Sequence, residues 1–135
     1  MYTPQAIING KFAAVGSDQR RIQKRLKQPD NLIPLNLVQT DDSLHISVED
    51  SGDLSAHVWL VNYILSETTE ITGGENKSLT VTNHHVVTEV TEVGQLTPGQ
   101  PNDFKVDYLQ ESNRGCAVLL QSVKLGPILG AARCQ

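Results

Sequence analysis

The chain has 135 residues, the size of one ordinary domain or of a small domain carrying a fragment of another, and its net charge is -4. No apolar run approaches the roughly 20 residues of a membrane-spanning helix, no basic segment followed by an apolar stretch opens the chain as in a signal peptide, and the acidic balance argues against nucleic acid as the main partner. With one Trp, three Tyr and two Phe, the core is expected to rest on Leu, Ile and Val. The chain is therefore expected to be either cytosolic or a mature or truncated form of an exported protein.

The charge is unevenly spread. Residues 1–28 hold Lys11, Arg20, Arg21, Lys24, Arg25 and Lys27 against the single acid Asp18, a net of +5, which leaves -9 for the rest. Two such balances suggest two structural units.

In chain order, Ala6-Ile7-Ile8 and Phe12-Ala13-Ala14-Val15 flank Asn9-Gly10. Asn-Gly between short apolar runs is a strong hairpin signal, because a type I′ turn needs positive φ at both central residues. Ser17 is then a suitable helix N-cap with Asp18 in the first turn. Ile22 and Leu26 fall four apart on one face, basic residues fill the other turns to Lys27, and Pro29 ends the helix.

After Pro29 the period becomes two. Leu35, Leu37 and Gln39 alternate with polar partners, and Ser43–Glu49 alternates cleanly, with Leu44, Ile46 and Val48 inward and His45, Ser47 and Glu49 outward. Residues 50–53 form a turn cluster. Ala56–Leu65 is apolar on parts of both faces, which predicts a central strand. A loop at 73–77 precedes a Thr- and Val-rich stretch from Leu79 to Val93, which reads as strand. Phe104–Leu109, Cys116–Val123 and Ile128–Ala132 complete about seven strands, the pattern of a sandwich or barrel. The expected fold is mainly β: a β-sandwich-like domain over 29–135 preceded by a hairpin and helix over 1–28, with the boundary near Gln28–Leu32.

Chemistry-bearing residues are sparse. Cys116 and Cys134 stand 18 residues apart, which excludes a Cys-x-x-Cys redox pair and supplies too few thiols for a zinc cage. In an exported chain the two can form one disulfide, while Cys116, inside an apolar run, reads equally as a buried free thiol. His84 and His85 are neighbours on an expected strand and so point to opposite faces, which makes solvent-facing or edge-strand histidines the simpler reading than a metal site shared with His45 and His57. Glu75-Asn76, in a Gly-rich loop, can offer a ligand site to a cation or a ligand backbone, though these are also ordinary turn residues. The basic helix reads as a solvated face that complements the acidic β domain. No Ser-His-Asp, Cys-His or Gly-x-Ser-x-Gly arrangement occurs, and no catalytic residue, metal site or cofactor is assigned.

Tyr2-Thr3-Pro4-Gln5, Val15-Gly16-Ser17-Asp18, Gly74-Glu75-Asn76, the run from Gly115 to Gln121 and the run from Gly126 to Ala132 together resemble a family of secreted bacterial thioredoxin-like proteins catalogued as a domain of unknown function. The resemblance runs from one end of the chain to the other. It implies a thioredoxin-like N-terminal part followed by a β-sandwich-like domain, and a periplasmic or secreted location. Thr3-Pro4 would then match the cis-Pro turn that lies beside the redox dithiol, residues 6–9 and 12–15 the last two strands of that fold, and residues 18–27 its last helix. The family's Cys-x-x-Cys has no counterpart in this sequence.

The reading that follows is a non-catalytic binding or interaction module for an unidentified protein or small-molecule ligand. The alternative is a thiol-disulfide oxidoreductase whose redox pair lies outside this chain. A hairpin and helix without the sheet they should join leave an open edge, which predicts either packing of residues 1–28 on the β domain or a homodimer formed through that edge.

Overall fold

Asn9 and Gly10 both take positive φ, 54° and 71°, and Lys11 N donates to the Ile8 carbonyl at 3.2 Å. That turn joins β1 (Gln5–Ile8) to β2 (Phe12–Val15) in an antiparallel pair. A computed structural model of the chain describes residues 5–27, 32–49, 52–70, 80–124 and 126–134, with only the backbone of 69, 70 and 81. Thr3, Pro4, Glu75, Asn76 and Pro29 lie outside the described residues, as does all of the expected boundary at Gln28–Leu32 except Leu32.

Helix α1 (Gln19–Leu26) follows. Its N-cap is Asp18 rather than Ser17: the Asp18 carboxylate accepts from Arg21 N at 3.2 Å, where a charged acceptor also complements the helix dipole. The expected apolar face is not buried as a unit. Ile22 is half-covered, but Leu26 is 64% exposed. Two of the basic residues are also more than a solvated face, since the Arg21 and Arg25 guanidinia sit 5.4 and 5.9 Å from the centre of the Phe12 ring.

The remaining strands are β3 (Asn36–Gln39), β4 (Ser43–Val48), β5 (Ala56–Glu70), β6 (Thr80–Gln95), β7 (Asn102–Asp107), β8 (Arg114–Ser122) and β9 (Ile128–Arg133). They form a three-stranded sheet in the order β3-β4-β7 and a four-stranded sheet in the order β6-β5-β8-β9, all described pairs being antiparallel. The architecture is mainly β, as the periodicity predicts. Leu44, Ile46 and Val48 of β4 are fully buried with Ala56 and Val58 of β5 and Cys116, Val118 and Leu120 of β8, so the inner faces of the two sheets meet in one core. Ile33, Leu35, Leu37, Phe104 and Val106 close its sides. Each fully buried Leu, Ile or Val contributes roughly 1.5–3 kcal/mol relative to exposure.

Strand β5 is central, as its two apolar faces suggest, and it runs past the core. Beyond Ile64 the strand it pairs with among the described residues is β6, so residues 65–70 and 80–86 form a two-stranded arm, tied at its base by the bond from Leu65 N to the Asn113 carbonyl at 2.9 Å. The hairpin of β1 and β2 touches the sandwich at its turn, where Ile128 N donates to the Asn9 carbonyl at 2.8 Å.

Candidate functional site

Strand alternation places His57, Trp59, Val61 and Tyr63 on the side of β5 opposite the core residues Ala56, Val58 and Leu60. Tyr63 is nevertheless only 7% exposed. Its cross-strand partner on β8 is Gly115, and a Cβ there would lie 2.7 Å from the ring. The phenol thus occupies the space that any other residue at 115 would fill. Its ring also meets His85 edge-on at 5.2 Å between centroids.

The backbone around this ring is irregular. Strand β6 has register breaks opposite Asn62/Tyr63, and His85 holds φ at 53°, a left-handed conformation that non-Gly residues adopt infrequently. Asn113, also left-handed at φ 59°, clamps β5 just past Ile64 by two side-chain hydrogen bonds to the Ser66 backbone, at 3.1 and 2.9 Å. The loop between β7 and β8 is therefore tied to β5.

Three cavities meet at Tyr63. The largest, about 510 Å³, is walled by Tyr63, Tyr108, Glu89, Asp107, Glu111 and Arg114. A cavity of about 220 Å³ adds His85, Arg133 and Cys134, and one of about 370 Å³ has Ala117, Ala131 and Arg133 in its wall. Among the described residues the Tyr63 hydroxyl makes no hydrogen bond. Burial, with Tyr63 and Glu111 close by, raises the Tyr108 phenol above its ordinary pKa. Arg114 pairs with Glu111 at 3.1 Å. This arrangement can bind a small polar or charged group between two phenols; it holds no nucleophile hydrogen-bonded to a base among the described residues.

The candidates from sequence are not brought together. Cys116 of β8 and Cys134, the residue just past β9, are joined by a disulfide, with Cα atoms 5.1 Å apart and Cys134 N donating to the Cys116 carbonyl at 2.8 Å. His84 and His85 are exposed on the edge strand β6, and His45 is on β4. His57 belongs to a separate cluster: its Nδ1 is 2.7 Å from Glu92 Oε1, its ring is 5.4 Å from that of Trp59, and Trp59 Nε1 donates to Gln121 at 3.1 Å. The His57 hydrogen bond holds the Glu92 carboxyl below its ordinary pKa. Among the described residues no three His, Cys, Asp or Glu stand together so as to hold a metal ion.

Sequence reasoning missed Tyr63, Tyr108, Glu89 and Arg114. The available signal was Gly115, a glycine opening an apolar strand, which marks a close approach.

Among solved structures, the crystal structure of protein AGR_C_4864 from Agrobacterium tumefaciens is similar, with a TM-score of 0.71 and 27% identity over 98% of this chain. This chain spans 61% of the length of that one. No curated protein matches. The sequence profile of the family described as protein of unknown function (DUF1223) matches residues 1–121, and the chain belongs to that family.

Proposed function

We propose that the chain is a non-catalytic recognition module of a protein exported to the periplasm or secreted, and that it takes its ligand at Tyr63. The observation that carries this reading is a phenol 7% exposed whose hydroxyl has no partner among the described residues, standing where three cavities meet. The hydroxyl opens on the cleft, since Gln39 Nε2 is the buried side-chain polar atom that lacks a partner among the described residues and the Tyr63 oxygen is not, so a ligand group entering the cleft can bond it in place of water. Export is supported by the Cys116–Cys134 disulfide, since such bonds persist in oxidising compartments. Attack by an outside thiol on the Cys116 sulfur is disfavoured, because Cys116 is 0% exposed, whereas Cys134 is half-buried. The hairpin and helix of residues 5–26 have the order of strands and helix that a thioredoxin-like fold ends on, which supports reading them as the closing segment of one.

The test is a melting-temperature screen of the wild-type chain and of Tyr63→Leu against neutral, anionic and cationic small molecules and short peptides. A ligand at a hundred times its Kd stabilises by about 2.7 kcal/mol, several degrees for a chain of this size. At least one class is expected to raise the wild-type Tm and to leave Tyr63→Leu unmoved. No shift in any class, or an equal shift in the variant, overturns the reading.

A further inference from the structure

We infer that the seam between the free edges of β3 and β9 takes an extended peptide of another protein as an added strand, with an aliphatic side chain turned inward and an acidic one outward opposite Arg133. This is a second site, and the Tyr63 hydroxyl plays no part in it. Cys134 N bonds inward to the Cys116 carbonyl at 2.8 Å. An antiparallel ladder alternates, so with Ala131 opposite Leu119 and Arg133 opposite Ala117, the N–H and C=O of Ala131 and Arg133 point away from β8. The chain itself uses this edge one step earlier, where Ile33 N donates to the Leu129 carbonyl at 2.6 Å. Gly130 permits that approach, since a Cβ there would stand 2.6 Å from the Ile33 carbonyl. The chain then leaves for β3. Among the described residues no backbone group bonds the outward N–H and C=O of Ala131 or Arg133.

The facing edge is open in the same way. Thr40 N bonds to the Ser43 carbonyl at 2.9 Å, so the same alternation turns the main-chain groups of Leu37 and Gln39 away from β4. Between the two edges lies a cavity of about 260 Å³, walled by Leu35, Leu37, Leu44 and Ala132 together with Gln39 and Cys134. It reaches the core, since Leu44 is fully buried. Gln39 continues the inward alternation of Leu35 and Leu37, yet its Nε2 is buried with no hydrogen-bond partner among the described residues. A buried donor left unpaired is costly, so the chain's own groups do not complete the seam. An added strand supplies main-chain donors and acceptors for the edge and a side chain for the cavity. Its residues opposite Ala131 and Arg133 point outward. The one between them points inward beside Ala132, which shares the core side with Val118. Arg133 is exposed and has no salt bridge among the described residues, so an acid opposite it is favoured and a base is not. The same charge guards the edge against unselective pairing.

The experiment is NMR titration of the full chain with acetyl-Thr-Glu-Leu-Thr-Thr-amide, combined with amide hydrogen exchange. In the free protein Ala131 and Arg133 should exchange at least about tenfold faster than Ala132 and Cys134, whose N–H groups face β8. Saturating peptide should slow Ala131 and Arg133 and leave Ala132 and Cys134 as they were. The peptide with glycine for leucine should bind about tenfold more weakly. One N-methylated at its second and fourth residues, which lie opposite Arg133 and Ala131, should not bind. Lysine for glutamate should weaken binding about fivefold, and Arg133→Glu, at an exposed position that leaves the core intact, should reverse that preference. Slow exchange of Ala131 and Arg133 in the free monomer, no binding of the peptide, or equal binding of its N-methylated form overturns the inference. So does protection of these two amides that rises with protein concentration alone, which assigns the edge to a second copy of the chain.

Discussion

Breaking the Cys116–Cys134 bond should remove about 3 kcal/mol of stability at 25 °C, because the bond closes a loop of 18 residues and so restricts the unfolded chain. For a chain of this length each kcal/mol moves Tm by roughly 3–4 °C, so reduction should lower it by about 10 °C. The two single variants should not be equal. Cys134→Ala leaves Cys116 as a buried thiol, which packs as a small hydrophobe. Cys116→Ala loses the same bond and also opens a cavity in a site that is 0% exposed between Val118 and Asn62, adding about 1 kcal/mol. Urea unfolding of the oxidised chain, the reduced chain and both variants measures this. Coincident midpoints for oxidised and reduced protein would refute the reasoning, as would Cys134→Ala being the costlier variant. Alkylation of both thiols in the denatured, non-reduced protein would show that the bond is absent.

Three further outcomes follow from the packing. Leu44→Ala removes a fully buried side chain from β4 and should destabilise by about 2–5 kcal/mol in urea unfolding, whereas Val38→Ala, at a position 59% exposed, should change it by under about 0.5 kcal/mol. Gly130→Ala should cost more than Gly94→Ala, although both contacts are short: a Cβ at 130 meets the Ile33 carbonyl at 2.6 Å, and one at 94 meets the Phe104 ring at 2.7 Å, which can turn aside. The Glu92 carboxyl, held low by His57, supports the folded state above the ordinary carboxylate range and loses that support as pH falls through its own lowered value. The Tm of Glu92→Gln should therefore lie below wild type near neutral pH and converge with it only as pH falls through the lowered Glu92 value; a constant gap down to strongly acidic pH would refute the coupling.

Much of the scaffold was legible because its signals are local. Alternation in Ser43–Glu49 reports which side chains of one strand face the core, and it does so without knowing the neighbouring strand. Asn9-Gly10 demands positive φ at adjacent residues wherever it occurs. The N-cap was misplaced by one residue because Ser17 and Asp18 are both competent caps, and the backbone geometry that chooses between them depends on how the hairpin ends.

The sequence by itself determined that the protein is mainly β, that the Ala56–Leu65 segment is central and that a small basic hairpin-helix unit leads it. Tertiary structure alone decided which strands are neighbours: β4 pairs with β7, more than fifty residues onward, and β5 pairs with both β6 and β8. It also decided between a buried free thiol and a bond, by setting Cys134 directly across from Cys116. The cleft at Tyr63 belongs wholly to that second level. Its groups come from β5, β6, the end of β7, the loop that follows it and the start of β8, and no spacing along the chain records that they converge, because a strand's side-chain period encodes a face and not a partner.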